Sequence, residues 1–157
     1  MVLRKINIGT GIIGIMHTMK YLTRELKVKE FHKKFNLDVD SQPRESLLSL
    51  RSKLILEEAN EVSEVLNEMS MSVIQGKPVT QEQTEHLLKE LADLQYVLSG
   101  TVVALGNIKT DNFDAAINLV HKSNMSKLDN DGNVVYDSKG KVLKSDNYKE
   151  PDLSQLI

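Results

Sequence analysis

Two groups of acidic residues are the part of this sequence whose residue types and spacing could carry chemistry. Each group lies inside a segment whose apolar residues recur with helical spacing, at positions where an amphipathic helix usually carries apolar side chains. The first group has the spacing i, i+1, i+4, and the second has the spacing i, i+3. The members are Glu57, Glu58 and Glu61 in the first group, and Glu90 and Asp93 in the second.

The cost of burying a charge indicates what these acids do. An unpaired carboxylate in an apolar interior costs several kcal/mol or takes up a proton. Four or five carboxylates that face one core therefore require a cation. Because oxygen ligands suit a hard ion that also binds phosphates, we expect Mg²⁺, with Mn²⁺ as a substitute. For any single glutamate the alternative is a solvated position at the stripe edge, which we expect for Glu64 and Glu68.

Four helical segments would position these acids. Gly76 and Pro78 end the second segment, and Thr80 and Gln83 form a capping box that begins the third. A short turn between two long helices makes them antiparallel, so the two acid groups would face each other. The first predicted helix covers about residues 19–36. The second runs from near Pro43 to about Ile74, with Ser41 as a candidate cap. The third and fourth cover residues 80–106 and about 111–125.

Composition restricts the class of protein. A chain of 157 residues favours one domain, which we place at residues 19–157 after an N-terminal extension of residues 1–18. A net charge of −2 and 4% aromatic residues give no basis for a nucleic-acid partner. The absence of cysteine excludes disulfides, zinc–thiolate sites and thiol catalysis. No apolar run reaches the length of a membrane span, and we expect a cytoplasmic protein.

The segment after the fourth helix is polar and rich in turn formers. Two turn sequences, residues 129–132 and 137–140, flank Val134-Val135-Tyr136 and predict a small hairpin or an ordered loop. Asp129, Asp131 and Asn133 superficially match a calcium loop. The glycine and the distal glutamate of that loop are not at their required positions, so we predict no calcium site there.

The pattern Glu57-Glu58-x-x-Glu61 followed by Glu90-x-x-Asp93 resembles the EExxE and ExxD motifs of the all-α nucleoside triphosphate pyrophosphohydrolases, the MazG-like superfamily. The first helix and the tail are similar to a branch that also resembles phosphoribosyl-ATP pyrophosphohydrolases. The similarity covers roughly residues 20–153. The matching segments are Phe31-His32-x-x-Phe35, residues 123–129, residues 140–144, Asn147-Tyr148 and Pro151-Asp152-Leu153.

This resemblance implies an all-α, four-helix bundle-like protomer with a short C-terminal hairpin or loop, assembled as a homodimer or a dimer of dimers. It implies Mg²⁺-dependent hydrolysis of a (deoxy)nucleoside triphosphate between its α- and β-phosphates, which yields a monophosphate and pyrophosphate and cleans the nucleotide pool. The alternative enzyme is a phosphoribosyl-ATP-type pyrophosphohydrolase. The alternative from another class is a non-catalytic, metal-stabilised helical dimerisation module.

The resemblance also implies roles for individual residues. Glu58, Glu61, Glu90 and Asp93 match the metal ligands of the motif. Glu57 either joins them or acts as the catalytic base that activates water. Polar tail residues are candidates for nucleotide binding, and the alternative for each is a solvated loop position. These substrate-binding candidates are Asn124, Lys127, Lys144, Asn147 and Tyr148.

Overall fold

The structure, a computed structural model, describes residues 23–157 and is all-helical, as expected from the sequence. The proposed extension, residues 1–18, and the first positions of the predicted first helix lie outside the described residues. Within residues 23–157 there is no β-strand, although two isolated bridges occur. The helices are α1 (Arg24–Lys34), α2 (Glu45–Ile74), α3 (Gln81–Ala104) and α4 (Thr110–Met125), followed by a short 3-10 helix (Ser154–Leu156).

α2 and α3 form an antiparallel pair, and this pair positions the acid groups. Contacts between them run in opposite directions along the two helices: Arg51 Nε donates to Thr101 Oγ1 at 3.1 Å, and Gln83 Nε2 donates to Ser72 Oγ at 3.0 Å. The predicted capping box at the start of α3 is confirmed, since Thr80 Oγ1 accepts the Gln83 amide at 3.1 Å. α1 packs chiefly against α3.

The far end of the pair is held by backbone pairing and not by a helix cap. Ser41 was predicted as a candidate cap for α2, and this was wrong, because Arg44 holds the cap position and its side chain makes no hydrogen bond to the first turn of the helix. The backbone of Ser41 instead bridges Leu105: its N–H donates to Ala104 O at 2.9 Å, and its oxygen accepts the Gly106 N–H at 2.8 Å. This pairing ends α3 at Ala104, two residues earlier than predicted.

Helical spacing predicts one apolar stripe on α2, and the core follows it only in part. The stripe consists of Leu47, Leu54, Ile55, Val62, Val65 and Met69. Leu47, Val62 and Val65 of the α2 stripe are buried, and Leu47 packs with Ala104 and Leu105 at the paired end of the two helices. Other large apolar side chains of the long helices are exposed. Among them are Leu48, Leu50, Leu56, Leu66, Leu88 and Leu91.

The tail is an ordered loop with a minimal hairpin. Asp129 Oδ1 accepts the amides of Asp131 and Asn133, at 2.9 and 2.7 Å, and Asp137 Oδ1 accepts two amides in the same manner, each at 2.8 Å. The expected hairpin consists of a single bridge between Tyr136 and Val142. No helix in residues 23–157 is both long enough and apolar enough to cross a membrane.

Candidate metal and active site

Three of the five predicted acids meet between α2 and α3. Glu58, Glu90 and Asp93 each offer a carboxylate oxygen, and these three oxygens lie within 4.8 Å of one another. Glu90 is only 3% exposed, whereas Glu58 and Asp93 are half-buried. The antiparallel packing therefore places acids from two helices around one point, which we call the carboxylate cluster.

Glu61 contacts this cluster, and Glu57 lies at its edge. A hydrogen bond with Glu90 is the first cause of a raised pKa of Glu61, and burial is the second. The pKa of Glu58 is also raised, first by burial and then by the charges of Asp93, Glu57 and Glu90. Glu57 itself is exposed to solvent. The cluster thus concentrates negative charge that a cation would neutralise.

Two basic side chains that were not predicted as site residues lie against this cluster. Lys89 Nζ lies 3.0 Å from both oxygens of Glu90 and 3.0 Å from Asp93 Oδ2. His86 Nε2 lies 3.0 Å from Glu90 Oε1. The Lys89 ammonium is the main reason that the pKa of Glu90 is lowered, and the carboxylates in turn raise the pKa of Lys89. The i to i+4 spacing of His86 and Glu90, and of Lys89 and Asp93, was the sequence signal for two of these contacts, whereas Lys89 and Glu90 are adjacent in sequence.

The donor set fits a hard divalent cation. It consists of carboxylate oxygens alone, and it already holds a positive group, the Lys89 ammonium, within hydrogen-bonding distance of two of its members. Mg²⁺ takes oxygen ligands and retains water molecules that substrate phosphates can replace. The residues that could hold such an ion are Glu58, Glu61, Glu90 and Asp93.

The predicted substrate-binding residues make their contacts elsewhere in the described chain. Lys144 Nζ stacks 4.0 Å from the centre of the Tyr148 ring, and the side-chain amide of Asn147 donates to Leu128 O at 3.3 Å. Asn124 is exposed at the end of α4, and Lys127 is half-buried just beyond it. Within residues 23–157 no hydrogen bond or ion pair joins these residues to the carboxylate cluster. The structure places Lys144 against Tyr148 and Asn147 against the segment after α4, and it shows no polar contact of the three with the acids.

His32 is a buried, packed residue. The side chain is 4% exposed, and its Nδ1 donates to the carbonyl oxygen of Asp38 at 2.6 Å, since a carbonyl can only accept. A buried arginine, Arg51, lies beside the same glycine, Gly100, as His32, and it was not predicted as a functional residue.

An all-helical fold with two facing acid motifs defines the class of this protein: it is a member of the MazG-like all-α nucleoside triphosphate pyrophosphohydrolase superfamily. Residues 28–124 match the family model described as phosphoribosyl-ATP pyrophosphohydrolase (PRA-PH). The chain belongs to this family and is a pyrophosphohydrolase. The matched segment contains all five acids, and it ends before the tail. No curated protein matches the chain.

Proposed function

We propose that the protein is a Mg²⁺-dependent enzyme that cleaves the α–β phosphoanhydride of a nucleoside triphosphate group and releases pyrophosphate. The observation that carries the proposal is the convergence of Glu58, Glu90 and Asp93 from two helices, with oxygens within 4.8 Å of one another. Like charges this close are costly unless a cation is bound. Family membership supports the reaction type.

The side chains have separable roles in this reaction. Glu58, Glu61, Glu90 and Asp93 would hold the metal, which supplies charge neutralisation at the phosphates when bound. Glu57 is exposed beside Glu58 and serves as the base: it takes the proton of a water whose oxygen bonds to phosphorus while the bridging P–O bond breaks. Lys89 is 63% exposed on a flexible stem, so it can move from the carboxylates to a phosphate oxygen.

Two substrates are supported by different observations. The family match over residues 28–124 makes phosphoribosyl-ATP the first candidate. The second candidate is a free (deoxy)nucleoside triphosphate, with nucleotide-pool cleaning as its role. It is kept because the tail, which holds Lys127, Lys144, Asn147 and Tyr148, lies beyond the matched segment, so the match does not extend to these substrate-binding candidates.

We propose a homodimer or a dimer of dimers as the active assembly. Exposed leucines on α2 and α3 would be buried by a second copy. The tail candidates make no polar contact with the acids of their own protomer, so the tail of a partner is the natural source of nucleotide contacts. Light scattering of the purified protein tests the assembly, and a monomer that retains full activity would contradict it.

A nucleotide panel tests the reaction. Phosphoribosyl-ATP, ATP and the four canonical deoxynucleoside triphosphates are each incubated with Mg²⁺, with Mn²⁺ and with EDTA, and the products are separated by anion exchange. We expect pyrophosphate and a monophosphate in the metal-containing reactions. Release of inorganic phosphate, or no release from any nucleotide, would overturn the proposal. Mg²⁺-induced stabilisation without turnover would favour the non-catalytic dimerisation module.

A further inference from the structure

The carboxylate cluster has a counter-ion that comes from the chain itself. Lys89 Nζ lies 3.0 Å from both oxygens of Glu90 and 3.0 Å from Asp93 Oδ2. One ammonium thus contacts carboxylate oxygens of two acids. Among residues 23–157, the other basic side chain within ion-pairing distance of these acids is His86, which lies 3.0 Å from Glu90 Oε1. Lys89 is therefore the main source of positive charge in the cluster.

Lys89 reaches the cluster from the solvent side. Adjacent residues of a helix do not face each other, so the backbone alone does not bring Lys89 to Glu90. The Lys89 side chain is 63% exposed, whereas the Glu90 side chain is only 4% exposed. The ammonium meets the buried carboxylate at the end of a flexible four-carbon stem. Lys89 can therefore leave the cluster while the two helices and their acids stay in place.

The oxygens that Lys89 contacts are also those that a metal ion would use. Glu58, Glu90 and Asp93 each offer an oxygen within 4.8 Å of the other two. Because Lys89 contacts both oxygens of Glu90, any cation that binds through Glu90 shares an oxygen with the ammonium. At the Mg–O distance of about 2.1 Å, such an ion would lie at most about 5 Å from Nζ. Two cations this close repel each other in a partly buried site, so the ammonium and the ion oppose each other's binding.

Charge decides which cations can displace the ammonium. A K⁺ or Na⁺ ion brings the same single charge as Lys89, but it arrives from solution. Lys89 is tethered next to Glu90 in the sequence, so its effective concentration at the cluster is high. A divalent ion brings twice the charge to the same oxygens, and its attraction to them is correspondingly stronger. Divalent ions should therefore displace Lys89, and monovalent ions should not.

We propose that Lys89 determines the cation specificity of the carboxylate cluster: its ammonium competes with the metal ion for the oxygens of Glu90 and Asp93, so that monovalent ions are excluded and a divalent ion enters by displacing it. The inference rests on the proposed function for the role of the acids as metal ligands. Because two ligands that share a site weaken each other reciprocally, removal of the ammonium should strengthen metal binding.

The binding experiment titrates the protein with MnCl₂ in the absence of nucleotide and measures the free ion by electron paramagnetic resonance. Lys89→Gln removes the ammonium at an exposed position, so folding of the helix pair is not at risk. Lys77→Gln is the matched control, because it changes the net charge equally, and the Lys77 ammonium donates to Gln75 Oε1 at 2.9 Å, beyond the end of α2. Lys89→Arg retains the positive charge at the same position.

We expect Lys89→Gln to bind Mn²⁺ at least about tenfold more tightly than the wild type, which lies within the usual size of coupling between two ligands. Lys77→Gln and Lys89→Arg should bind Mn²⁺ as the wild type does. If Lys89→Gln binds Mn²⁺ no more tightly than Lys77→Gln, the proposal is overturned. Weaker binding in Lys89→Gln would mean that Lys89 supports the ion, and this would overturn the proposal as well.

The exclusion of monovalent ions is tested by repeating the titrations in KCl and in tetramethylammonium chloride. Equal ionic strength keeps the screening of charges the same in both salts. The wild type should bind Mn²⁺ equally in the two salts. Lys89→Gln should bind it several-fold more weakly in KCl, because K⁺ can enter the cluster and the bulky organic cation cannot. Equal affinities in both salts for Lys89→Gln, or weaker binding in KCl for the wild type, would refute the exclusion.

Turnover separates this inference from the proposed function. In Lys89→Gln, the Mg²⁺ concentration that gives half the maximal rate should fall, and kcat should fall as well, because the ammonium is lost as a phosphate contact. An unchanged Mg²⁺ requirement in Lys89→Gln would refute the inference alone. If neither the wild type nor any variant hydrolyses a nucleotide, the proposed function is refuted, and the Mn²⁺ titrations still decide whether Lys89 competes with the metal.

Discussion

Carboxylates occur in two contrasting settings in this molecule. In the carboxylate cluster, the acids of α2 and α3 face one another, and the pKa values of Glu58 and Glu61 are raised. In the tail, Asp129 accepts backbone amides, and these bonds, led by that to Asn133, lower its pKa. The difference shows that an acid supplied with donors by its own loop is already satisfied, whereas acids that meet other acids need a cation.

The calcium-like sequence Asp129, Asp131 and Asn133 forms a hydrogen-bonded turn in the tail. Asp129 Oδ1 is occupied by the amides of Asp131 and Asn133, and Oδ2 accepts from the Asn133 side chain at 3.3 Å. Both oxygens of the first would-be ligand are thus used to close the turn. Asp137 repeats the arrangement one turn further along the tail.

The largest effect should come from neutralising one acid of the cluster. We expect Glu58→Gln to lower kcat at least about 100-fold, because metal stabilisation of phosphate charge is worth several kcal/mol. Pyrophosphate release under saturating substrate measures it. Glu64→Gln, an exposed acid on the same helix, is the control and should retain activity. Equal activity of the two variants would remove the distinction between cluster acids and ordinary surface acids.

The second effect concerns stability. Mg²⁺ at about 100 times its dissociation constant should stabilise the wild type by about 2.7 kcal/mol. That corresponds to several degrees in Tm, at roughly 2–4 °C per kcal/mol for a chain of this size. Asp93→Asn should lose this response, and Asp129→Asn should keep it. Calorimetric melts with and without Mg²⁺ decide the matter, and a response lost in Asp129→Asn would assign metal binding to the tail.

A smaller, local effect is expected from the tail acid. Asp129→Ala removes the acceptor for two amides, at a cost of about 1 kcal/mol of local stability. Hydrogen exchange at the Asn133 amide should accelerate by roughly fivefold, while exchange in α2 and α3 stays constant. Faster exchange throughout the helices would mean that the tail turn supports the whole fold.

The smallest effect is the pH dependence of stability. The contribution of an acid in the carboxylate cluster and that of an acid in the tail should change with pH in opposite directions. The pKa of Glu58 is raised above its ordinary 4.5, so its contribution to the stability of the metal-free protein is present at low pH and lost as pH rises through the folded pKa. The pKa of Asp129 is lowered below 3.8, so its contribution is present at neutral pH and lost as pH falls through the folded pKa. Carboxyl NMR titration should show the two shifts, and shifts of the same sign would contradict the comparison.

Periodicity and turn chemistry were sufficient to predict the helices and their facing. Apolar spacing placed Leu47, Val62 and Val65 on one buried stripe, and the capping box at Thr80 fixed the start of α3. The start of α2 could not be predicted from local signals, because Ser41 pairs with Leu105, which is distant in sequence. Helix ends of this kind are set by tertiary contacts.

The candidate site was only partly predictable. The motif spacing indicated the acids that meet, since helical geometry fixes which residues share a face. Helical spacing marks Lys89 as a neighbour of Asp93 but does not say that its ammonium will also reach both oxygens of Glu90. Arg51 lies on the apolar stripe of α2, where an arginine usually extends to water; its burial depends on the small Gly100 of the facing helix.

The turn between α2 and α3 has a consequence for how the motif spacing can vary among sequences. The acids face each other at mid-length, and the connecting segment, residues 75–80, lies at one end of the pair. Gly76 has a φ of +71° and open space around it. A longer hairpin keeps the acids opposed only when each helix gains a whole turn, so viable insertions between the motifs should come in steps of about seven residues. The number of residues between the two motifs is therefore set by the lengths of the two helices. An insertion of three or four residues in only one of the helices should move the two acid groups apart.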